Sequence, residues 1–338
     1  MGLSYERRVP EELLKALEPG GFAHSLVEFG GSGMWALDLQ LRGLGEAKKQ
    51  HRATLYVGTT KVVDLHLKGQ SFALSAHPTF ACEANGWDTS WAQWHHDRLF
   101  ADQWTEVDNY LQVVIEKIVQ AGTYVKEGMV QAALGRFPST DFTVIDREAI
   151  VSFGSQPEKD ACKSELAAKW LNALHRADPP AWWKTKPTKL GDECDVLAVS
   201  SRGEVLAIEI KPHTASDKDI AWSVLQAGMY ADLFQRWADY AGAKAHEVLH
   251  DMAGQRNRIG LSGRAGIQIA APIKVRPVVA LDRRAAQSAK EKLAAVCAHL
   301  ASAGLATDHD VRQVNRRTPG PDIVIRPGKQ RPEKPSNN

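Results

Sequence analysis

GDECDVLAVSSRGEVLAIEIKP, residues 191–212, reads as two short strands joined by a tight turn. Asp195 is followed by the apolar run Val196-Leu197-Ala198-Val199, and Ser200-Ser201-Arg202-Gly203 supplies turn residues. Val205 to Ile208 is apolar at every position, the pattern of a strand covered on both faces. Glu209 and Lys211 enter that run two residues apart, so a strand points both to one side. Pro212 has no N–H and ends the ladder. A carboxylate and an ammonium at the end of a buried strand are costly unless they are paired or used. Asp195, starting the neighbouring strand, reaches the same spot.

An Asp followed fourteen residues later by Glu-Ile-Lys on a buried strand resembles the active-site hairpin of the PD-(D/E)XK nuclease superfamily. The chain downstream extends the resemblance. Ser216 or Asp217 caps a helix running to about Ala241, with Ile220, Val224, Ala227, Ala231 and Phe234 as its apolar stripe. Gln226 and Tyr230 lie one turn apart on it. This Gln-x-x-x-Tyr pair is similar to that of the RecB/Cas4-like branch, where it lies near the metal and the nucleic-acid strand. Upstream, a helix from about Glu158 to Ala177 buries Cys162, Leu166, Trp170, Ala173 and Leu174. Glu165, at the margin of that stripe, matches the extra acidic residue the family carries on a preceding helix. An exposed helical Glu would read the same way.

The resemblance implies an α/β chain with a C-terminal restriction-endonuclease-like mixed sheet flanked by helices. It implies a divalent-metal-dependent nuclease acting on nucleic acid, DNA before RNA, in restriction, repair or phage defence. Asp195, Glu209 and the Ile210 carbonyl are hard oxygen donors suited to Mg2+ or Mn2+. Lys211 would orient or help deprotonate the attacking water and stabilise developing charge. The bland alternative is a cross-strand salt bridge between Asp195 and Lys211, which leaves Glu209 as a second carboxylate with no evident partner. The functional alternative is an inactive nuclease-fold protein that binds nucleic acid or nucleotide within a complex.

The first 153 residues match no family. They read as a short helix at Pro10–Leu17, then a β-rich (α+β) meander over 22–29, 34–41, 52–57, 61–67 and 70–74. Gly30-Gly31-Ser32-Gly33 is a hairpin turn on this reading; no Lys-Ser/Thr follows to make it a phosphate loop. Trp87, Trp91, Trp94 and Trp104 surround His95-His96-Asp97, for which no fourth metal ligand has recognisable spacing. Residues 102–120 form an amphipathic helix, and strands are expected at 142–145 and 149–153.

Gly154-Ser155-Gln156-Pro157 is the expected boundary, dividing the chain into 1–153, a nuclease-like domain over 154–326 and a disordered Pro-, Lys- and Arg-rich tail, 327–338. Residues 1–150 hold 14 Lys/Arg against 19 Asp/Glu, and residues 151–338 hold 28 against 21, giving −5 and +7. The basic half contains the hairpin, the direction a polyanionic substrate requires. Lys184 and Lys186 beside Trp182 and Trp183, and Arg256, Arg258 and Arg264 in an expected exposed loop, are the candidate nucleic-acid contacts. The acidic N-terminal domain would then serve a protein partner, self-association or a small regulatory ligand. Four dispersed cysteines and no apolar signal core or spanning segment lead to the expectation of a cytoplasmic protein without a membrane partner.

Overall fold

A computed structural model describes residues 2–31, 37–43, 51–68, 71–77, 79, 104–120, 127–136, 141–175, 187, 190–191, 193–261, 267–305, 310–314 and 326–327. In chain order the elements begin with β1 (Leu3–Ser4), α1 (Glu11–Leu17), α2 (His24–Gly31), β2 (Leu37–Arg42), β3 (His51–Val57), β4 (Thr60–Lys68) and β5 (Ser71–Ala76). There follow α3 (Trp104–Gln120), α4 (Glu127–Arg136), β6 (Phe142–Ala149), β7 (Ser152–Phe153), α5 (Gln156–His175), β8 (Cys194–Ser200) and β9 (Val205–Lys211). The chain closes with α6 (Asp217–Ala241), α7 (Ala243–Arg258), β10 (Val275–Asp282), α8 (Gln287–Ser302), β11 (Asp310–Val314) and β12 (Arg326–Pro327). Helices and several sheets are mixed along the chain, as an α/β class requires.

Strands β2 to β5 form an antiparallel meander in chain order. Alternation sets its two faces, interrupted by an irregularity between β3 and β4 at Leu55–Tyr56. Leu37, Leu39 and Leu41, with Leu55, Val57, Val63, Leu65 and Leu67, pack into one core with α1, α2 and α3. Asp38, Gln40, Arg42, Thr54 and Asp64 lie at the intervening positions and are buried too. The stretch 22–29, expected as a strand, is largely α2: Ala23, Leu26 and Val27 are the buried residues, and their spacing is helical.

The second sheet has the order β12-β11-β10-β9-β8-β6. Strands β6, β8 and β9 are antiparallel neighbours, while β9, β10 and β11 run parallel. Parallel neighbours need crossovers, which α6 with α7 and then α8 provide. α6 starts where the sequence places it, with the Ser216 side chain accepting the Asp219 N–H. Its long apolar stripe packs with α5 and α8 on one sheet face. Val130, Ala132 and Leu134 of α4 cover the other face, against Val196, Ile208 and Ile210.

The expected division at residue 154 does not follow the sheets. β6 lies before it and pairs with β8, and β1, at the start of the chain, pairs with β7. Tyr5 packs edge-on against Phe234 and Trp237 of α6. In return, Ile259, just past α7, is buried in the core of the meander. The expected tail beyond Pro327 lies outside the described residues. Among the described residues no helix is long and apolar enough to cross a membrane.

Candidate active site

Beyond the pair Val196–Ile208, β8 and β9 stop pairing as a regular ladder. The Asp195 side chain takes over there: its Oδ2 accepts the Ile210 N–H at 2.7 Å. The freed strand end is thus closed by a carboxylate, which a run of apolar residues could not do. Glu209, 2 % exposed, and Lys211 project at the same place, and the Lys211 ammonium donates to Glu209 at 2.5 Å. The ion pair therefore lies within β9, correcting the cross-strand bridge to Asp195 considered above. Two residues apart on one strand, the two side chains lie side by side.

The charges at this spot are not balanced. Burial, and then the Glu209 carboxylate, push Asp195 well above the usual carboxylate range. Burial also raises Glu209, and Lys211 only partly opposes it. The Glu209 carboxylate thus disfavours charge on Asp195, a repulsion that a proton or a cation at this spot would relieve. Burial alone would lower Lys211, but Glu209 and Asp195 outweigh it and hold it as an ammonium. Cys194 is pushed far up by burial and by the same two acids, so its thiol stays protonated and is no nucleophile.

Tyr230, buried on α6, lies beside Gln226 and in the field of Glu209 and Asp195. Burial, then those carboxylates, raise its phenol far above the usual value, so it acts only as a neutral hydrogen-bonding group. Gly191 seats against this pair. A Cβ there would stand 2.5 Å from Tyr230 Oη and 3.6 Å from Gln226 Nε2, so no larger residue fits without displacing the tyrosine. Asp195, Glu209, Lys211, Ile210, Gln226 and Tyr230 are all gathered at this one end of the sheet.

Glu165 is not. It is 65 % exposed and forms an ion pair with Arg236 of α6, which holds its carboxyl below the usual range. The buried stripe of α5 sets this orientation, with the Trp170 ring filling the space over Gly228. The acid acting on the site from a helix is Glu127, in the first turn of α4, whose charge bears on Asp195, Glu209 and Lys211 alike. The only signal for it in the sequence is a short helix opening with Glu127-Gly128 ahead of an apolar strand.

The expected phosphate contacts fare differently. Arg256 and Arg258 are on α7, not in a loop. Arg256 is 2 % exposed, bonds Gln40 at 3.1 Å and leaves its Nε and Nη2 without hydrogen bonds. Burial lowers its pKa, with Arg42 and Arg147 adding to that and Asp38 and Asp146 opposing it. Arg258 is engaged with Glu11 and Glu18. Lys184, Lys186, Arg264 and the His95-His96-Asp97 run lie outside the described residues.

Among the described residues, no three His, Cys, Asp or Glu side chains converge as a ready-made cage. The donor set present is two carboxylates and a backbone carbonyl, with the charge of Glu127 bearing on them. That fits a small hard cation, which keeps several waters and takes one or two protein carboxylates. It does not fit zinc, which wants nitrogen and sulfur. No family model matches this chain, and no curated protein or solved structure is detectably similar to it.

Proposed function

We propose that the chain is a divalent-metal-dependent nuclease with a restriction-endonuclease-like fold. The observation that carries the reading is the convergence of Asp195, Glu209 and Lys211 where β8 and β9 part, with two acids facing one ammonium. A mixed sheet with helices on both faces is the surrounding that the PD-(D/E)XK resemblance implies, and it supports the assignment.

Asp195, Glu209 and the Ile210 carbonyl would hold the cation, with Glu127 adding negative charge. When bound, Mg2+ or Mn2+ supplies a Lewis acid that makes a water acidic and offsets charge on a phosphate. The chain's own groups do the rest. The Ile210 N–H fixes one oxygen of Asp195 and leaves the other for a ligand. Lys211, kept charged by its two neighbours, orients the attacking water and stabilises the developing phosphorane charge; it does not accept a proton while both carboxylates face it. Tyr230 and Gln226 offer neutral hydrogen bonds beside the acids.

DNA is the proposed substrate, and a soluble cytoplasmic setting in restriction, repair or phage defence accompanies it. The test is cleavage of mixed single- and double-stranded DNA and RNA by the full chain with Mg2+, Mn2+ or EDTA. Metal-dependent products from the wild type and none from Glu209→Gln support the reading; equal cleavage by both defeats it. The rival, an inactive nuclease-fold binder, would retain DNA in a gel shift without cutting it under any metal.

A further inference from the structure

Glu127 opens α4, which packs on β9 through Val130, and its charge bears on the site from outside the hairpin; a chain of buried polar side chains ties it back to the N-terminal meander. Its Oε1 accepts a hydrogen bond from Gln131 Nε2 at 3.2 Å, one helical turn along α4. Gln131 Oε1 accepts from Arg147 Nη2 at 2.5 Å. Arg147, 1 % exposed on β6, also gives Nη2 to the Gly58 carbonyl at 2.9 Å and Nη1 to Asp38 Oδ2 at 2.7 Å. Asp38, on β2, is held in turn by Gln40 Nε2 at 2.7 Å.

The chemistry of this chain is directional. A guanidinium only donates and a carboxylate only accepts, so a group between them must present an oxygen one way and an N–H the other. Of the side chains of that length, only an amide does both. Backbone packing points the same way. A Cβ on Gly128 would come within 2.4 Å of Thr59 N and 2.6 Å of the Gly58 carbonyl carbon, so the first turn of α4 rests directly on the β3–β4 turn. The group that Arg147 anchors in the meander is that same Gly58.

We propose that the N-terminal meander is a positioning element of the site. Asp38, Arg147 and Gln131 set the place and orientation of the Glu127 carboxylate, and through it the affinity of the site for its cation. The cation part of this rests on the nuclease reading; the relay itself does not. Gln131 and Arg147 are positioning residues, reaching the site only through Glu127.

The test uses the full chain and Mn2+ titration calorimetry on wild type, Glu127→Gln, Gln131→Met and the double variant. Gln131→Met should weaken Mn2+ binding about tenfold, the order expected when a residue that orients a charge outside the ligand set is lost. The double variant should bind no more weakly than Glu127→Gln alone, because both changes act on one carboxylate. Wild-type affinity in Gln131→Met, or losses that multiply in the double variant, would overturn the proposal. If the wild type takes up no Mn2+, the nuclease reading fails and the relay is read from hydrogen exchange instead. Gln131→Met should then speed exchange in the first turn of α4 about tenfold or more and spare the β8–β9 hairpin; unchanged exchange there overturns the relay. Should Gln131→Met not fold, Gln131→Glu replaces it in the exchange experiment. It keeps a partner for Arg147 but repels Glu127, and the same outcomes decide.

Discussion

The Lys211 ammonium binds Glu209, its neighbour on the same strand, at 2.5 Å, and leaves Asp195 with an amide donor and a second carboxyl beside it. One cation thus faces a buried Glu209 and a half-buried Asp195, and the charge of Glu127 bears on it as well. Structures built for stability do not gather charge in this way, because each unmatched buried carboxylate destabilises the folded state.

That imbalance sets a pH dependence. Asp195 and Glu209 both have folded-state pKa values raised above their ordinary 3.8 and 4.5. The folded chain therefore binds more protons than the unfolded one above that range, and metal-free stability falls as pH rises through it. Asp195→Asn keeps an acceptor for the Ile210 N–H and removes the charge. It should stabilise the metal-free protein at neutral pH and flatten the decline in Tm as pH rises above the ordinary carboxylate range. The same variant should lose cleavage. A variant less stable than wild type at high pH would show that Asp195 is held by partners and not penalised.

Cation binding should follow the opposite slope. A cation at Asp195 and Glu209 must displace the protons that those raised values favour, so affinity should rise with pH. Calorimetry in two buffers of different ionisation enthalpy would measure the protons released. Zero release would mean that the cation sits away from this pair.

Lys211→Met separates chemistry from binding. An ammonium cannot ligate a cation, so affinity for Mn2+ should hold or improve as a competing positive charge is removed. The cleavage rate should drop by about 10²-fold or more. A loss of Mn2+ affinity as large as that of Glu209→Gln would mean that Lys211 holds the hairpin together.

Gly191→Ala tests the seat of Tyr230. The added methyl would stand 2.5 Å from Tyr230 Oη, and overpacking of this kind costs about 1–3 kcal/mol. Tyr230→Phe removes the atom that is struck and should restore most of that stability in the double variant, while leaving activity impaired. Full activity in Gly191→Ala would put the tyrosine outside the working site.

Local patterning carried much of this arrangement in legible form. The hairpin, the Ser216 cap and the face shared by Gln226 and Tyr230 each follow from spacing within one element. What could not be read was which distant helix completes the site. Glu165 and Glu127 are both helical acids upstream of the hairpin, and only the packing of their helices, through Trp170 and Gly128, leaves one paired with Arg236 and brings the charge of the other to bear on the site. Arg256 misled for a related reason. It continues the buried stripe Ala245, Val248, Leu249, Met252 and Ala253, but Gly254 and the polar residues around it suggested a loop.

The boundary is the sharpest difference between sequence and structure, and it yields the last prediction. A chain cut at residue 154 would lose β6 and expose β8 as an apolar sheet edge, a template for aggregation. It would also lose Leu3, Tyr5, Ile145 and Val151 from the larger core. At about 1.5–3 kcal/mol for each large buried side chain, that loss is comparable to the whole stability of a typical domain, about 5–15 kcal/mol. Arg256 would be stranded without Gln40 and without the carboxylates of Asp38 and Asp146. Residues 154–338 alone should therefore be insoluble or lack a cooperative melt, whereas the full chain should melt cooperatively, with limited proteolysis sparing the 154–157 segment. A soluble 154–338 fragment with a sharp thermal transition would show that the meander is an accessory to the sheet and not part of its foundation.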